Sequence, residues 1–428
     1  MWIRKYIAYC VVCLACLDFS CIDRETSVGT GKVLPDKILS ISGNNQSGVV
    51  GNEAFTDLTV RVLDAANQPV AKVKVEFLVQ YGSAFVSDTI ATTNFDGFAK
   101  TKLTYGQKAD TIGIHAIVLG LKGSPVLFSL QSYAADVSRL RAISDTVIVG
   151  VVASARKVTV RASDIYNNTV KNTIIKFEAK SGKGSVADVN VVTYSDGIAS
   201  TLWTLDTLVG TNTLEASIVG KSMTPVVFTA TSLPGSAAHL IALAGEKQFG
   251  FVVTELPVPL EVAVQDRYGN YLTSTSVQFT SPGRGGGPTF KNRYEYNELI
   301  PARTVVTVVL GSKSGANSVL ASMSPASPAE FRFNAYLQVL MFVPTSSAGV
   351  VNLQWARNLN TNFGSHQIFR STTAGVTTSS TLLSTITDEA VTSYADSAAI
   401  TGTQYFYAVY VNFTNGEAFF TNEETITP

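Results

Sequence analysis

The sequence predicts an all-β protein in which β-sandwich domains follow one another in a rod. Three observations lead to this fold class. The chain of 428 residues repeats itself with a period of about 100 residues. Within each copy, apolar and polar side chains alternate along short segments, as they do in half-buried strands. Charged residues make up 15% of the chain, and no window combines a sustained helical period with helix caps.

The N-terminal segment has the pattern of a secretory signal peptide, which we assign to residues 1–20. Arg4 and Lys5 precede an apolar run from Tyr6 to Leu17, which is too short to span a bilayer as a helix. All four cysteines lie within the first 21 residues: Cys10, Cys13, Cys16 and Cys21. We therefore expect no disulfide framework in the repeated part of the chain.

Ser20 and Cys21 resemble the cleavage site of a bacterial lipoprotein, in which the cysteine after the cut carries the lipid. The resemblance implies a lipid anchor in the cell envelope, in the outer membrane or at the cell surface, with residues 21–36 as a polar tether. Asp18 departs from the aliphatic residue of that pattern, which leaves Cys16 as an alternative lipidation site. A second alternative is an ordinary signal peptide with incidental cysteines.

Two sets of landmarks divide the repeated part of the chain. They are Asp64, Asp164 and Asp266, each at the end of a Val-rich or Ala-rich segment, and Phe77, Phe177 and Phe279. Both sets are separated by 100 and then 102 residues. We therefore place related domains at 37–135, 136–235 and 236–338, and a fourth domain of different pattern at 339–428.

Each copy has the strand and turn pattern of an immunoglobulin-like sandwich. Val60 and Val62 alternate with polar neighbours, and Val75 and Phe77 do the same after an intervening turn. The turn is rich in Asp and Asn, whose side chains bond to their own backbone. Domains of about 100 residues with short strands and regular turns are typical of this fold. We expect Phe77 and Phe177 to anchor the cores of their domains.

The aspartates that end the Val-rich segments allow two interpretations. Each could cap backbone N–H groups of its own turn, or could contribute a carboxylate to a Ca²⁺ site at a junction between domains. Because a tight Ca²⁺ site gathers several carboxylates and each turn supplies one, we favour the capped turn. We predict no metal and no cofactor.

The three copies resemble the bacterial Ig-like domains of invasin and intimin type. The resemblance rests on the segments Leu58–Asp64, Asp96-Gly97-x-Ala99 and Pro125-Val126-x-Phe128. It is strongest in 37–135 and weakest in 236–338, which lacks the Asp-Gly-x-Ala element and has a Gly-rich insertion instead. The resemblance implies tandem stalk domains of a surface adhesin.

The last segment resembles a fibronectin type III domain. Trp355 ends an early strand pattern, and Tyr405 and Tyr407 belong to a later one that follows Gly402 and Thr403. The resemblance implies that Trp355 and Tyr407 lie in the core. It also implies that the Tyr405 hydroxyl bonds a backbone group near the start of its strand.

Composition and motifs argue against catalysis and against nucleic acid as a partner. The 32 basic and 32 acidic residues give a formal net charge of zero, which offers no field for nucleic acid. His115, His239 and His366 are far apart in sequence. No nucleophile motif, phosphate-binding loop or paired acid–base motif is recognisable. We expect no catalytic residues.

We therefore expect a non-catalytic, lipid-anchored surface protein that acts as a stalk or adhesin and binds a protein or glycan ligand on a host or neighbouring cell. The third copy departs from the stalk pattern between Gly283 and Asn297, where we predict a ligand-contact loop. Its contact residues would be Arg284, Arg293, Tyr294 and Tyr296. The alternative for this insertion is a long hairpin without a ligand. The alternative function is a carbohydrate-binding or polymer-processing accessory lipoprotein.

Overall fold

The computed structural model describes residues 34–273, 276–282, 287–296 and 302–428. Over these residues the regular secondary structure consists of β-strands, and no helix long and apolar enough to cross a membrane occurs. One compact unit comprises the described residues up to Asp136 together with Asp164–Asn168, and a second comprises Val137–Ser163 with Thr169–Pro428. The predicted signal peptide, both candidate lipidation cysteines and most of the tether lie outside the described residues.

The first repeat forms a sandwich of two sheets around one apolar core. One sheet has the order β1-β3-β7, the other β2-β10-β9-β4-β6, and β5 pairs with β8. Phe77 is buried in this core beside Val60 and Phe128, as the alternation predicts. The strands are β1 (Lys37–Ser42), β2 (Ser47–Val49), β3 (Leu58–Leu63), β4 (Lys74–Tyr81), β5 (Ala84–Val86), β6 (Ile90–Thr92), β7 (Phe98–Thr101), β8 (Leu103–Tyr105), β9 (Thr111–Ile117) and β10 (Val126–Tyr133).

The second repeat has the same arrangement, with sheets β11-β13-β17-β15 and β12-β19-β18-β14-β16. Phe177 and Trp203 are completely buried in its core. The strands are β11 (Arg139–Ala142), β12 (Val147–Val151), β13 (Ala155–Ser163), β14 (Ile174–Ser181), β15 (Ser185–Val186), β16 (Asn190–Val192), β17 (Ile198–Thr204), β18 (Gly210–Ile218) and β19 (Val226–Leu233).

The third repeat keeps the core but joins its sheets in the order β23-β26-β27-β20-β22-β25-β24, with β21 beside β27. The two halves meet at a single pair, His239 opposite Ser327. Val277 is buried, whereas the third landmark, Phe279, is half-buried. The strands are β20 (Ala237–Ala244), β21 (Phe249–Phe251), β22 (Leu260–Asp266), β23 (Gln278–Thr280), β24 (Thr289–Tyr296), β25 (Arg303–Val309), β26 (Gly315–Met323) and β27 (Ala326–Tyr336).

The fourth domain has sheets β28-β29-β32 and β31-β30-β33-β34, with β35 beside β33. Trp355 and Tyr407 are buried in its core, as the resemblance implies. The Tyr405 hydroxyl accepts a hydrogen bond from the backbone N–H of Ile400 at 3.3 Å, which is the predicted tyrosine corner. The strands are β28 (Thr345–Ser347), β29 (Val350–Gln354), β30 (Phe363–Ser371), β31 (Thr381–Ile386), β32 (Ser393–Asp396), β33 (Tyr405–Phe413), β34 (Ala418–Phe420) and β35 (Glu424–Ile426).

The three aspartate corners are capped turns. In each, one carboxylate oxygen accepts hydrogen bonds from the backbone N–H groups two and four residues later, at 2.7–3.0 Å. The capped-turn interpretation therefore describes the geometry of Asp64, Asp164 and Asp266. The carboxylates complete the turns between β3 and β4, between β13 and β14, and between β22 and β23.

Candidate functional site

The third domain differs from the first two at one edge of its sheet. Strand β24 is eight residues long and lies beside β25 at the end of the sheet. In the second domain the corresponding place beside β17 is occupied by β15, which has two residues. In the first domain the three-residue strand β5 lies beside β8. The third domain therefore replaces a short edge strand with a long one.

The segment predicted as a ligand-contact loop is a strand over most of its described length, which agrees with the long-hairpin alternative, and ligand contact stays a prediction. Arg293, Tyr294 and Tyr296 all lie on β24, because its backbone pairs with β25 from Thr289 to Tyr296. Phe and Tyr side chains favour extended backbone, so the segment suits a strand despite its charges. Arg284 lies outside the described residues.

A bulge divides β24 into two short stretches. The pairing with β25 shifts between Lys291 and Arg293, and the extra residue, Asn292, has a positive φ of 43°. Asn tolerates this left-handed conformation better than most residues. Bulges of this kind twist an edge strand and re-aim the side chains that follow.

All eight side chains of β24 are exposed. Phe290 is 37% exposed, Tyr294 54% and Tyr296 42%. In the described part of the chain no strand pairs with the side of β24 that faces away from β25. The backbone N–H and C=O groups on that side are therefore open to an added strand.

The two tyrosines share the outer face of the sheet. Tyr294 lies opposite Val305, and Tyr296 lies opposite Arg303. Their ring centroids are 6.5 Å apart, and the Arg303 guanidinium is 5.6 Å from the centroid of the Tyr296 ring. The outer face thus presents two neighbouring rings, one of which contacts a cation.

The inner face of β24 carries opposite charges. Arg293 lies opposite the buried Val306, and Glu295 opposite the buried Thr304. The Arg293 guanidinium and the Glu295 carboxylate are 2.5 Å apart. Ion pairs this close to water contribute about 0–1 kcal/mol, so a partner of complementary charge can replace the contact.

The geometry of this surface suits the binding of a partner. It offers an unpaired strand edge, two aromatic rings and charges of both signs. Among the described residues, no group of three or more His, Cys, Asp or Glu side chains could hold a metal ion. We define the candidate surface as β24 together with Arg303.

A second feature, which could not be recognised in the sequence, is a contact between domains at the start of the third domain. The Asn270 side chain donates to the backbone C=O of Thr207 at 2.8 Å and accepts from the N–H of Val209 at 3.0 Å. It also donates to the Asp266 carboxylate at 2.9 Å. One amide therefore joins the aspartate corner of the third repeat to a loop of the second.

The same arrangement occurs one repeat earlier, within the first compact unit. Asn168 donates to the C=O of Gln107 at 2.8 Å and accepts from the N–H of Ala109 at 2.8 Å. It donates to Asp164 at 2.8 Å as well. The signal that could have found these residues is an Asn four places after the landmark Asp, where the first copy has Gln68.

The Asp266 carboxylate is held ionised at this junction. Burial opposes its charge, but hydrogen bonds from Asn270 and from the N–H groups of Gly235, Asn270 and Tyr268 outweigh that effect and lower its pKa. The Gly235 N–H donates at 2.8 Å from the segment that links the two repeats. The linker and the corner thus meet at the Asp266 carboxylate, and the Asn270 side chain connects this carboxylate to the loop of the preceding domain.

Aromatic side chains join the third and fourth domains. Tyr336, at the end of β27, stacks on Phe413 with ring centroids 4.3 Å apart. Phe251 of the third domain packs against Phe419, with ring centroids 4.9 Å apart. The Tyr336 hydroxyl donates to the Glu417 carboxylate, and burial together with this bond raises the pKa of Tyr336 to about 12. Aromatic residues of the third domain therefore belong to the apolar core of the fourth domain.

The fourth domain contains buried ionisable groups that belong to its core. The Arg370 guanidinium and the Tyr407 hydroxyl both donate to the Asp396 carboxylate, at 2.8 and 2.9 Å. His366 is completely buried and packs against Trp355, with ring centroids 5.4 Å apart. Burial lowers the pKa of His366 to about 4, so the ring is neutral at physiological pH.

Comparison with known proteins shows that the chain is similar in sequence to part of a bacterial adhesin. No protein-family model matches the chain. Over 312 residues, which cover 68% of this chain, it is 27% identical to the inverse autotransporter adhesin YeeJ of Escherichia coli strain K12. The chain spans 12% of the length of that relative.

Solved structures of adhesins are similar at lower identity. FdeC, an Escherichia coli adhesin, is 18% identical, with a TM-score of 0.48 over 69% of this chain and 96% of the FdeC chain. Invasin, a bacterial integrin-binding protein, is 16% identical, with a TM-score of 0.44 over 92% of this chain and 79% of its own. The repeated part of this chain is similar in sequence to part of the YeeJ adhesin, and its repeats fit the invasin and intimin type.

Proposed function

We propose that this chain is a non-catalytic cell-surface adhesin that presents a binding edge on its third domain. The similarity to YeeJ, which is named as an adhesin, supports an adhesive role at the cell surface. The observation that carries the binding assignment is β24, an eight-residue edge strand whose side chains are all exposed. Tyr and Arg side chains dominate the energetics of many protein interfaces, and β24 supplies both.

The ligand of this surface is a molecule on a host cell or on a neighbouring cell. Tyr294 and Tyr296 supply the aromatic contacts, Arg293 supplies charge, and Arg284 belongs to the same insertion. Since edge strands and loops vary without disturbing a sandwich core, a stalk domain can acquire such a surface and keep its fold.

Attachment assays on intact cells test this function. The variant Tyr294→Ala/Tyr296→Ala should reduce attachment to host matrix or to neighbouring cells several-fold, because it removes both rings. Tyr194→Ala is the matched control, since Tyr194 is a 77% exposed tyrosine of the second domain. Antibody staining would verify equal amounts of protein at the surface.

Deletions locate the activity if the point variants leave attachment unchanged. Loss of attachment on removal of residues 236–428 would keep the function in the last two domains. Unchanged attachment after that deletion, together with loss on removal of residues 36–235, would place the function in the first two domains and overturn the proposal.

We further propose that a lipid on Cys21 anchors the chain to a membrane of the cell envelope. The support is the Ser20-Cys21 pair behind a signal-like segment. Two acyl chains at about 0.8 kcal/mol per buried CH₂ would hold the protein stably. Metabolic labelling with an alkynyl fatty acid should mark the wild type and fail on Cys21→Ser. Persistent labelling of that variant and its loss on Cys16→Ser would move the anchor to Cys16.

A carbohydrate-binding role is the second candidate function. The observation that favours it is the pair of tyrosine rings on one outer face, 6.5 Å apart. Each ring offers an apolar face and a polar hydroxyl, which suits a sugar ring. A glycan array probed with the full chain should give signals that the Tyr294→Ala/Tyr296→Ala variant loses. An array without signal would remove this candidate.

A further inference from the structure

We propose that β24 pairs in antiparallel fashion with β24 of a second copy of this chain, in a register centred on Tyr294. The proposal names a partner for the candidate surface and rests on the assignment of that surface as a binding edge. It does not require attachment to other cells, because association of the purified chain in solution is measured separately.

The exposure of β24 provides the room for such pairing. The described residues place no strand against its outer side, and every side chain of the strand is exposed. A strand that joins this edge gains main-chain hydrogen bonds without displacing a neighbour. The short counterparts β5 and β15, with three and two residues, offer far fewer backbone groups.

The alternation of side chains restricts the register. Residues directly opposite each other in a sheet lie on the same face. Arg293 and Glu295 lie on the inner face and Tyr294 on the outer face, as their partners on β25 show. A twofold axis between two adjacent residues would pair an inner side chain with an outer one. The axis must therefore lie midway between the two copies of one residue, which then face each other across the two strands.

Charge then selects the residue. With the axis on Tyr294, Arg293 of each copy lies opposite Glu295 of the other, and the two Tyr294 rings meet on the outer face. With the axis on Arg293 or on Glu295, two like charges would lie opposite each other, which is destabilising. The register centred on Tyr294 is therefore the one in which both charges are complemented twice.

The pairing extends from Asn292 to Tyr296, because the bulge at Asn292 interrupts the regular strand. A contact this short is weak between dilute molecules. It becomes effective where chains are crowded on one surface or face each other on adjacent surfaces, since linked weak contacts gain from effective concentration. The occupant is a second copy because the same strand supplies both halves of the charge pattern.

Charge reversal gives a direct test with the full-length chain, purified in mild detergent. Sedimentation should show at least tenfold weaker self-association for Arg293→Glu and for Glu295→Arg, since each variant places like charges opposite each other. An equal mixture of these two variants should associate as the wild type does. In that mixture positions 293 and 295 are both acidic in the Arg293→Glu chain and both basic in the Glu295→Arg chain. Each acidic side chain of one copy therefore lies opposite a basic side chain of the other.

A cysteine variant tests the register independently of affinity. In a background with the four native cysteines replaced by Ser, Tyr294→Cys should form a disulfide-linked dimer under mild oxidation. Tyr296→Cys, on the same face and similarly exposed, should form much less, since it faces Asn292 of the partner. Equal cross-linking of both variants, or a charge-reversed mixture that does not associate, would overturn the proposal. If these association and cross-linking experiments fail while attachment to host matrix still depends on Tyr294, the adhesive function stands and a second copy of the chain is excluded as the partner.

Discussion

Replacing Asn270 with Ala tests whether one amide couples the second and third domains. Asn270 is 6% exposed and makes three hydrogen bonds: to the Thr207 carbonyl, from the Val209 N–H and to the Asp266 carboxylate. The Ala variant keeps the capped turn, because the backbone N–H at this position still reaches Asp266. The substitution therefore removes the bridge between domains while retaining the local fold.

The magnitude follows from the three bonds. Each of the two neutral bonds contributes about 0.5–1.5 kcal/mol net, and the bond to the carboxylate about 1.5–3 kcal/mol. Because Thr207 and Val209 lie near the surface and regain water, the lower half of the sum is the better estimate. We expect a loss of about 2.5–4 kcal/mol in the free energy that holds the loop against the corner.

Hydrogen exchange at the Val209 amide measures this quantity. Since 1.4 kcal/mol is a factor of ten in an equilibrium constant, exchange should accelerate by roughly 60-fold or more. Gln68→Ala is the matched control, because Gln68 holds the same turn position in the first repeat. Exchange at Val209 that is as slow in Asn270→Ala as in the wild type would refute the reasoning.

Three further predictions concern the cores. Phe177→Ala should destabilise the second domain by about 3–5 kcal/mol, whereas Glu178→Ala on the opposite face should change its denaturant midpoint little. His366 has a folded pKa of about 4 against an ordinary 6.5, so its contribution to stability is complete above pH 6.5 and is lost as the pH falls toward 4; thermal unfolding should show a loss of about 3 kcal/mol that His366→Leu abolishes. Arg370→Leu leaves the Asp396 carboxylate buried without its cation and should cost about 3–5 kcal/mol in denaturant unfolding, while Arg370→Leu/Asp396→Leu should recover part of that loss.

The core residues could be predicted from the sequence because apolar and polar residues alternate along their strands. Phe77 and Phe177 alternate with polar neighbours, and both are buried. Phe279 holds the equivalent place, yet it is half-buried, and its ring centroid lies 6.3 Å from that of Phe290. Strand β14 of the second domain corresponds to β23 of the third. β14 lies between β18 and β16, whereas β23 pairs with β26 and has no strand on its other side in the described part of the third domain.

Two features of the candidate site could not be predicted from sequence for physical reasons. Because strand β24 is exposed on both faces, its sequence lacks the alternation of apolar and polar residues that marks a half-buried strand. The Gly-rich segment before it is typical of a loop. The role of Asn270 depends on Thr207 and Val209, which lie more than 60 residues away and approach only in the folded chain. In contrast, Trp355 and Tyr405 belong to a recurrent motif that the sequence reveals.

The aromatic junction between the third and fourth domains bears on how the adhesive region can be dissected. A truncation after residue 338 would uncover Tyr336 and Phe251, which lie against Phe413 and Phe419 in the intact chain. Newly exposed aromatic surface adheres nonspecifically and aggregates. Bacteria that carry such a shortened chain would adhere to many surfaces through this damage alone. Apparent gains in attachment after proteolysis in that region would have the same origin, so the two domains should be removed or retained together.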